Sequence, residues 1–147
     1  VREIDIGGYH FTKDTMEKNN IDFKAAEKMK RDVGIVAVST SNEENTEVTN
    51  DPLAIKVEEQ TIYSNFVEEL RKTLKYYMKS SNQAFFNRFF ITGGSSELIG
   101  LKDFIIKELN VEVDLFDPLN TIDYKGEIKN PYQFTTALGL ALRGIHK

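Results

Sequence analysis

The chain has 147 residues, of which 40% are hydrophobic and 29% charged. That is one domain of ordinary size with enough apolar side chain for a core, and it excludes a disordered, collagen-like or disulfide-stapled chain. Cysteine is absent, which excludes thiolate metal sites and cysteine nucleophiles, and His10 and His146 are too far apart in sequence to suggest a histidine-rich metal centre. The net charge of −4 is concentrated in residues 39–52, where Glu43, Glu44, Glu47 and Asp51 stand without a Lys or Arg. The rest of the chain is balanced, unlike the basic footprint of a nucleic-acid binder. No run approaches the ~20 apolar residues of a membrane span. The opening VREIDIGG carries early charges and no apolar run, so it is not a signal peptide. A cytoplasmic location is the expectation.

Arg2–Ile6 alternates in polarity and predicts a short strand ending at Gly7-Gly8. It begins at residue 1 with no initiator methionine, so the chain is expected to be cut from something longer. Thr12–Lys18 predicts a short helix with Thr12 as N-cap. Residues 22–32 predict a stronger one, capped by Asp22 and stopped by Gly34. Ile35–Val38 reads as a short strand, and residues 39–52 as an acidic loop.

Ile55–Lys79 carries apolar residues at helical spacing, namely Ile62, Phe66, Leu70 and Leu74, and predicts the longest helix. Arg88–Thr92 reads as a buried strand running into Gly93-Gly94-Ser95-Ser96. Glu97–Leu109 is then helical, with Glu97 at the positive end of the helix dipole. Val111–Phe116 predicts another strand, and residues 118–130 a loop. Asn130-Pro131 starts a last helix, with Asn as N-cap and Pro in its first turn. Its Ala- and Gly-rich TTALGLALRG suits close packing on a flat neighbour. The alternation of strands and helices defines an α/β chain.

Two places offer chemistry. Gly93-Gly94-Ser95-Ser96 follows a buried strand and opens a helix, which puts bare backbone N–H groups where α/β folds bind ligands. It lacks a Walker lysine and the GxGxxG spacing, and a plain tight turn explains it about as well. Glu27 and Lys30, three apart on a helix, can point the same way and hold ribose hydroxyls. On local sequence alone, a solvated surface ion pair explains them better. Tyr76-Tyr77 and Phe85-Phe86 with Phe89-Phe90 read as packing residues, since no basic groove surrounds them. The acidic loop lacks EF-hand spacing. His10 reads as a surface histidine.

The order RxIxIGGxxxT, AExxK, a long helix ending near LKYY, ITGGSSELIGL, VEVxLFDPL and ALGLALR resembles one family. It is the type IV pilus assembly family PilM, actin-like ATPases related to the cell-division protein FtsA. The likeness spans nearly the whole chain, apart from the acidic loop and residues 119–130. It implies the second domain of an actin-like, ribonuclease H-like fold, with a short mixed sheet, flanking helices and a small upper subdomain. Residues 1–8 and 53–147 would form the sheet-containing part, and residues 9–52 the upper part.

The resemblance also implies that Gly93, Gly94 and Ser95 form the adenosine loop, that Glu27 and Lys30 touch the ribose, and that Gly7-Gly8 is mainly structural. Most phosphate loops and metal acids of the family lie in its first half, which is absent here. The implied ligand is therefore ATP with Mg2+, held weakly or not at all by this part alone. The implied partner is the inner-membrane pilus protein PilN, bound through the missing first domain, with self-association a further possibility. The implied place is cytoplasmic, peripheral to the inner membrane. Two other readings stand beside it: an interaction scaffold with a vestigial nucleotide site, and an FtsA-like division protein. The fragment by itself is not expected to be a catalyst.

Overall fold

The computed structural model of the protein describes residues 2–35, 61–82, 85–86 and 88–145. The acidic loop 39–52, the strand expected over 36–38 and the first part of the expected long helix, 55–60, lie outside the described residues. Among the described residues the chain is mixed α/β and mostly helical, with one small parallel sheet.

Helix α1 (Gly8–Asn19) and helix α2 (Phe23–Val33) form a hairpin. The Asp22 carboxylate accepts the Ala25 N–H at 2.7 Å, so α2 begins where its cap dictates. It ends at Gly34, whose φ of +73° suits glycine. A Cβ there would lie 2.3 Å from the Ile99 carbonyl oxygen. That close approach lets the Ile35 N–H reach the same carbonyl at 2.7 Å. Helix α1 starts a full turn earlier than expected. The Gly7 carbonyl accepts from the His10 and Phe11 amides, which places Thr12 inside the helix and fully buried. Asn20, at φ +50°, ends it.

Helix α3 (Ile62–Ser81) is capped by Thr61, whose hydroxyl accepts the Ser64 N–H at 3.1 Å, and Asn82 terminates it at φ +53°. Strand β1 (Phe89–Ile91), helix α4 (Leu101–Leu109) and strand β2 (Val113–Leu115) make a βαβ unit. The register pairs Phe89 with Val113, Phe90 with Asp114 and Ile91 with Leu115. Helix α5 (Thr135–Ile145) follows a short tight turn at Pro131–Phe134.

The core lies where α1, α3, α4 and the sheet meet. Phe11, Ile35, Val67, Leu98, Leu101, Ile105 and Val113 are buried there. The Phe11 ring packs tilted on Tyr63 at 4.7 Å between centroids and edge-on to Phe66 at 5.7 Å.

Several expectations are corrected. Among the described residues, residues 2–6 form no strand and have no ladder partner, although Ile6 packs against the core. Among the described residues the sheet is therefore parallel rather than mixed. Helix α4 begins at Leu101, not Glu97, because Gly100 takes φ +82° and separates the 93–98 turn from the helix. Its first turn carries Asp103 instead. Helix α5 begins at Thr135, and the Asn130 side chain makes no capping hydrogen bond. No residue of α5 is buried, so the flat neighbour expected for its Ala- and Gly-rich face is not found among the described residues. The aromatic residues read as packing are in part on the surface: Tyr76, Tyr77, Phe85 and Phe90 are all at least half exposed.

Candidate functional site

A cleft of about 800 Å³ opens between the α1–α2 hairpin and the turn after β1, a volume suited to a small-molecule ligand. One wall holds Gly8, Tyr9 and Thr12 from α1, with Phe23, Glu27, Lys30 and Arg31 from α2. The other holds Gly94, Ser95, Glu97 and Leu98, joined by Lys129, Asn130 and Gln133. Four of the five residues singled out in the sequence thus share one cavity. The fifth, Gly93, lies outside the lining. Its φ of +104° makes the turn, its N–H goes to the Tyr132 carbonyl at 3.1 Å, and its carbonyl accepts from Ser96.

Helical spacing explains the first wall. Phe23, Glu27 and Arg31 are four apart on α2 and stack along one stripe, with Lys30 beside them. The same spacing from Glu27 reaches Phe23, which has the character of an apolar-face residue, and Arg31, and the structure puts both in the cleft lining. Thr12 was passed over because its type and place suggested a cap.

The polar centre of that wall is Glu27. Its Oε2 accepts from Lys30 Nζ at 2.6 Å and from the Thr12 hydroxyl at 2.5 Å, and its Oε1 accepts from Arg31 Nε at 2.8 Å. Burial pulls the carboxyl upward, but hydrogen bonds from Lys30, Thr12 and Arg31, together with the Lys30 charge, outweigh it and hold the group at about 2. Glu27 is thus a carboxylate at any physiological pH. With Oε2 filled by two donors and Oε1 by one, acceptor capacity remains on Oε1. This is not the solvated surface pair that local sequence favours. The Lys30 side chain is only 6% exposed, while the Arg31 side chain is 74% exposed.

The second wall is set by close packing. A Cβ on Gly8 would lie 2.3 Å from Ser95 Oγ, so glycine lets α1 approach the turn. The turn is closed by the Ser96 N–H to the Gly93 carbonyl and the Leu98 N–H to the Ser95 carbonyl, both 3.1 Å. A Cβ on Gly94 would meet nothing nearer than Gln133 Cβ at 4.0 Å, so the main chain is open to the cleft there. His10 stays at the surface, its Nδ1 accepting the Gly7 N–H at 3.3 Å.

Among the described residues no group of three or more His, Asp or Glu is placed to hold a metal, and no helix is long and apolar enough to cross a membrane.

These features define a class: a mixed α/β protein in which a helix-borne carboxylate, fixed by two cations and a hydroxyl, faces a glycine turn across an open cleft. Residues 1–145 match the family model of the type IV pilus assembly protein PilM. The chain belongs to that family. No curated protein matches it.

Proposed function

We propose that the chain is the second, actin-like domain of a PilM-type pilus assembly protein and contributes the adenosine side of an ATP-binding cleft. The observation that carries this reading is the position of Glu27 and Arg31 across the cleft from Gly94 and Ser95. The remaining acceptor capacity of Glu27 Oε1 suits a sugar hydroxyl, which must donate. The guanidinium of Arg31 suits a planar base or an anionic group. The open main chain at Gly94 suits close approach of the ligand. Magnesium enters with the triphosphate in this reading. In this reading the protein works as a cytoplasmic scaffold peripheral to the inner membrane, and a preceding domain supplies the phosphate contacts and the groove for a PilN-like partner.

The test is a substitution that the fold tolerates and a ligand does not. Gly94→Val adds volume where the protein has room, yet fills the cleft. It should leave the melting temperature near the wild-type value and abolish binding of a fluorescent ATP analogue. Unchanged affinity in a folded Gly94→Val protein would contradict the assignment.

A second reading keeps the family and drops the ligand: an interaction scaffold whose cleft is vestigial. The exposure of Tyr76, Tyr77 and Phe90 favours it, since aromatic residues are enriched at protein interfaces. Substituting all three by serine should weaken capture by pilus-platform proteins, whereas Gly94→Val should leave that capture unchanged.

A further inference from the structure

We infer that Thr92 and Thr135 are positioning residues of the cleft: their hydroxyls latch the glycine turn to the segment that opens α5, and so set the gap between Gly94 and Gln133. The inference rests on the nucleotide reading above for the ligand concerned. Neither threonine lines the cavity, so neither is a ligand contact.

Thr92 is the last residue before the glycine turn, and Thr135 is the first residue of α5. They are 43 residues apart in the chain, yet their Oγ1 atoms lie 2.6 Å from each other. A Thr hydroxyl has one proton and can also accept. Thr135 Oγ1 lies 2.8 Å from the Tyr132 carbonyl oxygen. Thr92 Oγ1 has two longer alternatives, the Phe116 carbonyl at 3.1 Å and the Tyr132 carbonyl at 3.3 Å. The two shortest contacts are satisfied together when Thr92 donates to Thr135 and Thr135 donates to Tyr132. The same Tyr132 carbonyl accepts the Gly93 N–H at 3.1 Å. Thr92 and Gly93 are covalent neighbours, so these hydrogen bonds close a ring between two distant parts of the chain. A carbonyl oxygen has two lone pairs, and this assignment fills both.

What the ring holds is the start of the turn. The Gly93 amide is spent on Tyr132, and the Gly93 carbonyl accepts from the Ser96 N–H and hydroxyl. The Gly94 and Ser95 amides make no hydrogen bond among the described residues, and both residues line the cleft. Gln133 follows Tyr132 as Gly94 follows Gly93, and its Cβ would stand 4.0 Å from a Cβ on Gly94. Fixing Gly93 against Tyr132 therefore fixes Gly94 against Gln133. No residue of α5 is buried, so packing along that helix does not hold its head to the turn. Thr92 is itself exposed, and water can take the place of a lost hydroxyl. Losing the latch thus changes position before it changes stability.

The test uses the whole chain with Thr135→Val and Thr92→Val, which keep shape and remove a hydroxyl, and Thr135→Ser, which keeps the hydroxyl. Three quantities are read: hydrogen exchange of the Gly93 amide without ligand, the nuclear Overhauser contact between Gly94 and Gln133, and affinity for Mg-ATP. Each valine variant should speed Gly93 exchange by about threefold to tenfold, the worth of one neutral hydrogen bond, and weaken Mg-ATP by a similar factor. The Gly94–Gln133 contact should fade, while exchange of the core Val67 amide stays at the wild-type rate. Thr135→Ser should remain within about twofold of wild type in all three. Thr92→Val keeps the proposal testable if Thr135→Val fails to fold. Unmoved Gly93 exchange in the valine variants would overturn the inference. A parallel rise at Val67 would do the same, since the role would then be global stability. So would a serine variant as impaired as the valine one, or full Mg-ATP affinity in a chain whose turn has loosened. If the wild type binds no Mg-ATP, the nucleotide reading fails by itself, and Gly93 exchange with the Gly94–Gln133 contact still decides whether the hydroxyls hold the turn.

Discussion

Lys30 Nζ and the carbonyl oxygen of Gly8 lie 3.2 Å apart although 22 residues separate them in the chain. The contact joins the last turn of α2 to the head of α1, at the same glycine whose missing Cβ admits Ser95. Three chain segments therefore meet at Gly8, and two of the cleft's walls are set there. Added volume at that point moves the site before it unfolds the protein.

Gly8→Ala would bring a methyl group to within 2.3 Å of Ser95 Oγ, an atom that can rotate away. The expected cost is at most about 1 kcal/mol, with a shifted Ser95 amide resonance. Gly8→Val leaves less escape and should cost about 1–3 kcal/mol. Urea denaturation and an amide spectrum check both.

Gly34→Ala is the harsher change. The residue has φ +73°, and its Cβ would meet the Ile99 carbonyl oxygen at 2.3 Å. Backbone cannot swing aside as a hydroxyl can. Strain plus clash should cost more than about 3 kcal/mol, read as a lower urea midpoint.

Glu27 makes stability depend on pH with a definite sign. Its folded value, about 2, lies below the ordinary 4.5, so its contribution is fully present above the ordinary value and is lost as pH falls through the folded one. The stability gap between wild type and Glu27→Gln should stay flat from neutral pH down to about 5 and shrink from there towards 2. After solvent screening at the cleft rim, its size is on the order of 1–2 kcal/mol. A gap that widened on acidification would contradict the network.

Phe11 carries the packing of α1 against α3 and is 1% exposed. Phe11→Ala should cost about 3–5 kcal/mol, measured by thermal or chemical unfolding. The remote cleft pair Gly94 and Ser95 should report little of that loss until the protein unfolds.

What could be read from the sequence was local. The start of α2 at Asp22 and its stop at Gly34 follow from one capping carboxylate and one left-handed glycine, each a matter of a few neighbouring residues. The pairing of Glu27 and Lys30 on one helix face follows from spacing. Their meeting with Gly94 and Ser95 rests on family order, since nothing local links residue 27 to residue 94. What escaped depended on partners distant in the chain. Thr12 has the chemistry of a cap, yet its hydroxyl serves a carboxylate 15 residues away. The alternation of Arg2–Ile6 shows which side chains share a face, but a strand also needs a neighbour, and none pairs with it among the described residues. Glu97 has the charge expected at a helix start, but Gly100 moves the start beyond it. The exposure of Tyr76 and Phe90 was hidden for the same reason, because apolar character alone does not say what covers it.

The central claim is that Glu27 and Arg31 on one wall, and Gly94 and Ser95 on the other, line a nucleotide cleft. The most direct measurement is an NMR titration of Mg-ATP and Mg-ADP into the labelled chain. The account predicts joint, saturable shifts at those four residues, with Tyr76 and Phe90 unmoved. Shifts confined to Tyr76, Phe90 and their neighbours, or no shift at any of the four at saturating nucleotide, would contradict it.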